Sequence, residues 1–113
     1  MKKETPIYLY FSTSSLVRYV QEILNKEGYF NLDILGSEEE VLNELNKTKN
    51  ALLISEIDLL KQHQLIKKIK NPLIALLDPN YHLNLETLVM FELKDLVQLP
   101  LHREKIVAKL KEI

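Results

Sequence analysis

Ala51–Ile54 (ALLI) is a run of four apolar residues with no polar alternation. A strand with one wet face alternates apolar and polar side chains. A run without alternation belongs to a strand covered on both faces, as when helices lie on each side of a parallel sheet. Leu73–Leu77 (LIALL) repeats the signature, and Ile7–Ser12 (IYLYFS) is a third short apolar run rich in aromatic residues. Phe30–Leu35 (FNLDIL) alternates and suits a strand nearer an edge. Leu96–Leu99 reads as a fifth strand, ended by Pro100.

Helical periods separate these strands. Ser14 or Ser15 is expected to cap a first helix with Leu16, Val20, Ile23 and Leu24 on one face and Gly28 as its left-handed terminator. Gly36 turns the chain, and Ser37 with Glu40 forms a capping-box pattern. Glu38–Glu40 place negative charge where the helix dipole favours it. Val41, Leu42 and Leu45 make the buried face of that helix, with Lys47 and Lys49 at its C-terminal end. Leu65, Ile66 and Ile69 mark a third helix. Asp78-Pro79-Asn80 is a turn, and Asn84 caps a short fourth helix with Leu85, Leu88 and Val89. Arg103–Ile113 closes the chain as a helix with Ile106, Leu110 and Ile113 on one face.

The order βαβαβαβαβα joins strands by crossovers, and crossovers make parallel pairs. The expected fold is α/β: a doubly wound five-stranded parallel sheet, flavodoxin-like, in a three-layer sandwich. Its 113 residues make one domain, 1–113.

Composition narrows the function. Twenty-three leucines and ten isoleucines can fill a core, which excludes disorder. The net charge is -1, so the chain lacks the positive surplus that non-specific nucleic-acid binding needs. Absence of cysteine removes disulfides, zinc–thiolate sites and thiol nucleophiles. Gly28 and Gly36 are the two glycines, too few for a glycine-rich phosphate loop. The charged start and the short apolar run after it suit neither a signal peptide nor a membrane span, so a cytoplasmic location is expected.

Ligands of doubly wound sheets bind outside the carboxyl ends of the strands. Ser12–Ser15 follow the first strand; Ser55, Glu56 and Asp58 the third; Asp78 the fourth; Leu99 and Pro100 the fifth. With LVRYVQEILNKEGY (16–29), ALLISEI (51–57) and DLVQLP (95–100) in this order, the chain resembles the receiver domain of bacterial two-component response regulators over its whole length. ALLISEI is similar to the family's LLISDI strand, and DLVQLP to its DYLxKP ending.

The resemblance implies a phosphoryl-accepting pocket, which this sequence does not reproduce. The family's two metal-binding acids correspond to Ser12 and Thr13, its phospho-accepting aspartate to Glu56 (Ser55 in a register one residue shorter), and its Ser/Thr after the fourth strand to Leu77. The lysine corresponds to Leu99 and the switch aromatic to Leu96; Pro100 is retained. The loop after Glu56 is also shortened, because IDLLKQHQ runs almost directly into a helix. Magnesium wants carboxylate oxygens, so no metal and no cofactor are expected.

Each remaining signal has a plain reading beside a functional one. Glu56 either mimics a phosphorylated aspartate or is a half-exposed acid at a strand end. Ser12–Ser15 either bind an anion or cap the helix. Asp58 and Asp78 could join Glu56 in a displaced metal site, against which Leu77 and Leu99 speak. His63, His82 and His102 have no ligand spacing and read as surface residues. Tyr8 and Tyr10 share a strand face, with Tyr19 expected near them, as a stacking platform or as packing under a helix. Lys61, Lys67, Lys68 and Lys70 form a basic helix side whose default reading is a solvated face.

LETLVMFEL (85–93) has more apolar residues than one buried stripe uses. Either the helix is buried all round, or Leu88, Met90 and Phe91 with Leu96 form an interaction face. In the resembled family this helix, the fifth strand and the fifth helix commonly serve dimers and partners. The function expected is a non-enzymatic, phosphorylation-independent pseudo-receiver that contacts a protein partner in bacterial signalling, with a homodimer through that face and no nucleic acid or membrane. The alternative is a small-ligand sensor using the vacated pocket.

Overall fold

The structure, a computed structural model, describes residues 2–56, 59–60, 68–77, 95–98 and 103–112. Five strands are β1 (Ile7–Tyr10), β2 (Leu32–Leu35), β3 (Leu52–Glu56), β4 (Leu73–Leu77) and β5 (Asp95–Gln98). Three helices are α1 (Ser14–Lys26), α2 (Glu38–Lys47) and the C-terminal α3 (Arg103–Glu112). Leu59, Leu60 and Lys68 are also helical. The strands form one sheet in the order β2-β1-β3-β4-β5. All four neighbouring pairs are parallel.

The period of two along each strand sorts side chains into two cores. Ile7 and Leu9 of β1, Leu52 and Ile54 of β3, and Ile74 and Leu76 of β4 pack with α1 and α3. Tyr8, Tyr10, Leu53, Leu73 and Ala75 pack with α2 and Leu60 on the other face. Helices therefore cover both faces, which is why β3 and β4 carry no polar alternation. Burying each such Leu or Ile contributes about 1.5–3 kcal/mol. Edge strand β2 is only partly covered, and its burial does not follow the alternation of the sequence: Leu35 is buried and Leu32 half-buried, whereas Asp33 and Ile34 are exposed.

Helix ends follow local chemistry. Gly28 has φ +92, and the Gly28 and Tyr29 N–H groups donate to the Asn25 and Leu24 carbonyls at 3.0 and 2.9 Å. That pair of bonds closes α1 in a Schellman motif, with Tyr29 and Leu24 in the same core. At α2, the Ser37 hydroxyl accepts from the Glu40 N–H at 3.2 Å, the capping bond the sequence promises.

Three expectations change. First, β1 stops at Tyr10, because Tyr10 is the last residue paired with both Leu35 and Ser55, and the chain then turns into α1. Second, the N-cap of α1 is Thr13, whose side chain makes no capping bond; Ser14 and Ser15 already lie in the first turn. Third, Tyr19 projects from α1 and is exposed, whereas Tyr8 and Tyr10 lie under α2 across the sheet. The three tyrosines form no platform. As expected, Leu16 packs on the core face of α1, partly buried, and Val17 joins it as a buried residue of the same cluster.

Candidate functional site

The chain runs outward from β1 to β2, then returns to place β3 on the other side of β1. Loops diverge at that reversal, so the carboxyl ends of β1 and β3 border the crevice where this topology binds ligands. Ser12 follows β1 and Glu56 ends β3. The two side chains meet. The Ser12 N–H donates to Glu56 Oε1 at 2.9 Å, and its hydroxyl lies 3.2 Å from Oε1 and 3.0 Å from Oε2. A half-exposed carboxylate is thus answered by a neutral residue of the neighbouring strand end.

Ser55 has a different fate. It is fully buried on the α2 side, and its hydroxyl donates to the Tyr10 carbonyl at 2.7 Å. Alternation along β3 then turns Glu56 toward the α1 side and the crevice. Thr13 is exposed at the α1 N-cap. The backbone of Leu77 ends β4 opposite Gln98, and Leu96 pairs with Ala75 in edge strand β5. Leu99, Pro100, Asp58, Asp78, Leu88, Met90, Phe91 and the three histidines lie outside the described residues.

Beside Ser12 a cavity of about 340 Å³ opens between α1 and β2. Phe11, Val17, Ile34 and Leu35 give it an apolar wall, and Ser14, Arg18 and Gln21 a polar one. Near the same end, burial of the Tyr10 phenol, and secondarily the Glu38 carboxylate, raise its pKa above the ordinary 10.0. Tyr8 donates to Glu44 at 3.4 Å.

Crystal structures of similar shape have been solved. The chain superposes on a signal receiver domain from Vibrio parahaemolyticus with a TM-score of 0.66 at 13% identity, over 95% of this chain and 88% of that one. It superposes equally on a CheY-like response regulator receiver domain protein from Methanospirillum hungatei, with a TM-score of 0.66 at 15% identity, over 96% and 91%. The fold is receiver-like. No protein-family model matches the chain, and no curated protein is similar to it.

A receiver-like fold implies a magnesium ion at this crevice, held by carboxylates. The described donors do not fit it. Ser12 and Thr13 are neutral, and Ser12 is directed at Glu56. Among the described residues no group of three His, Asp or Glu could hold a metal ion.

Sequence reading missed Asn71. It is buried beside the start of β4, and its amide nitrogen lies 2.9 Å from the Thr48 carbonyl and 3.3 Å from that of Ala51. It ties the α2–β3 connection to the chain entering β4. The Asn71-Pro72 dipeptide before an apolar run was the available signal, an ordinary mark of a turn.

Proposed function

We propose that the protein is a non-enzymatic, phosphorylation-independent pseudo-receiver: one cytoplasmic domain that acts by contacting a protein partner in signal transduction. The bond between Ser12 and Glu56 carries this reading. Phosphoryl transfer to a receiver needs a carboxylate free to attack and a cation to neutralise developing charge. Here the carboxylate accepts from Ser12 instead, and the described donors beside it, the neutral Ser12 and Thr13, are unsuited to magnesium. The partner-binding face is proposed to be Leu88, Met90 and Phe91 with Leu96 of edge strand β5, where a homodimer can also form. No helix among the described residues is long and apolar enough to cross a membrane.

Incubation with magnesium and acetyl phosphate tests the reading, followed by intact-mass measurement. No phosphate adduct is expected, and a stable, acid-labile adduct would overturn it. Separate Met90→Glu and Phe91→Glu variants test the face by sedimentation. The outward residue should give a folded protein with weakened association, and unfolding by both would assign the apolar excess to the core.

The cavity beside Ser12 favours a second reading, a sensor for a small, largely uncharged ligand. Its apolar wall reaches the same crevice. A ligand bound there must move the Val17 and Ile34 resonances, whereas binding elsewhere leaves them in place.

A further inference from the structure

At the opposite end of the sheet, where α2 finishes and β3 and β4 begin, lies a groove of about 410 Å³. Its floor is Leu42, Leu45 and Ile69, the last two buried. Lys49, Lys68 and Lys70 stand around it. Lys68 bonds to Glu38 at 3.3 Å, and the nearby Glu44 is paired with Lys47 at 3.8 Å. Lys49 and Lys70 have no carboxylate partner among the described residues, although the whole chain carries 16 acids against 15 bases. Lysines on a convex helix are solvated and need no explanation. Two ammonium groups that line a groove with an apolar floor, without a carboxylate partner among the described residues, are different, because an acidic occupant of the groove would meet no described competitor for them.

We propose that this groove docks an acidic segment of a partner protein. One apolar side chain of the segment enters between Leu42 and Ile69, and flanking carboxylates meet Lys49 and Lys70. Charge complementarity selects an acidic occupant, and the apolar floor selects a peptide over a phosphate backbone, which brings no apolar group. The proposal rests on the reading of the chain as an interaction module but uses a face remote from segment 85–93 in sequence. It needs no change at Ser12 or Glu56.

The test titrates the isotope-labelled full chain with the peptide Asp-Glu-Leu-Asp-Glu and follows backbone amides by NMR. Saturable shifts at Leu42, Lys49, Ile69 and Lys70 are expected. Replacing the peptide leucine with alanine, or combining Lys49→Glu with Lys70→Glu, should weaken binding about tenfold or more, the equivalent of 1.4 kcal/mol. Both lysines are exposed, so the variant keeps its fold, which circular dichroism checks; Lys49→Gln with Lys70→Gln is the milder form. Four results would overturn the proposal: no saturable shift, equal binding of Lys-Lys-Leu-Lys-Lys, equally tight binding of duplex DNA or anionic phosphatidylglycerol vesicles, or a wild-type dimer that Lys49→Glu dissociates. Association that depends on Met90 or Phe91 would survive any of these, so the two interaction faces fail separately.

Discussion

The two ends of the sheet handle polarity in opposite ways. At the carboxyl ends of β1 and β3, one carboxylate is met by a hydroxyl and an N–H of the same chain, in contact with water. At the amino ends of β3 and β4, the buried Asn71 amide is satisfied by carbonyls, yet Lys49 and Lys70 beside it have no carboxylate partner among the described residues. In a doubly wound fold the first end is where chemistry is expected. Here the described carboxylate at that end, Glu56, is answered within the chain, and at the opposite end the described Lys49 and Lys70 are not. The difference teaches that a receiver-like fold fixes where loops diverge, not where the chain keeps its reactive groups.

The largest effect should come from Asn71. Asn71→Ala leaves buried carbonyls of the α2–β3 connection without their donor and should destabilise the domain by about 2–3 kcal/mol in urea unfolding. A loss well under 1 kcal/mol would mean that water replaces the amide, and the amino ends of β3 and β4 would then be no better fixed than the carboxyl ends of β1 and β3.

Ser12→Ala should cost less, about 0.5–1 kcal/mol, because the contact is exposed and the backbone donor remains. Glu56→Gln should also stay below about 1 kcal/mol, since a neutral amide oxygen still accepts from Ser12. A double-mutant cycle of Ser12→Ala with Glu56→Ala, which removes the acceptor, isolates the coupling of the two side chains. Zero coupling would sever the two residues and remove the basis for calling this end answered.

The smallest effect at neutral pH belongs to Tyr10. Its raised pKa means the folded state holds the phenolic proton more tightly than the unfolded chain. The resulting stability is complete below the ordinary value of 10.0 and is lost as pH rises through the raised one. Wild type should therefore lose stability above pH 10 more steeply than Tyr10→Phe, in urea unfolding at a series of alkaline pH values. Parallel curves would place the phenol in water.

Much of the fold was legible in the sequence because it rests on local periodicity. The unbroken apolar runs of β3 and β4 announced two covered faces, Gly28 announced the end of α1, and Ser37 with Glu40 announced the start of α2. The errors arose where tertiary partners decide. Thr13, not Ser14 or Ser15, is the N-cap of α1, and its carbonyl accepts from the Val17 N–H with no side-chain capping bond for the sequence to announce. Val17 was not expected on the core face, yet it packs there beside Leu16 and more deeply, which the approach of the sheet decides. At the candidate site, the position of Glu56 at the end of β3 was readable from strand alternation. Its bond to Ser12 was not, because contact between two strand ends depends on parallel register. The role of Asn71 depends on three segments meeting and leaves only a turn-like dipeptide in the chain.

We propose that Ser12 answers Glu56 and that the crevice therefore takes no magnesium. The most direct measurement is a magnesium titration of the labelled chain, watching the Ser12 amide and the Glu56 side-chain carbonyl by NMR. The account predicts that both stay in place up to tens of millimolar magnesium, apart from a small, non-saturating ionic-strength drift. A saturable shift of both signals, abolished by Glu56→Gln, would show that the carboxylate leaves Ser12 for the metal, and would contradict the account.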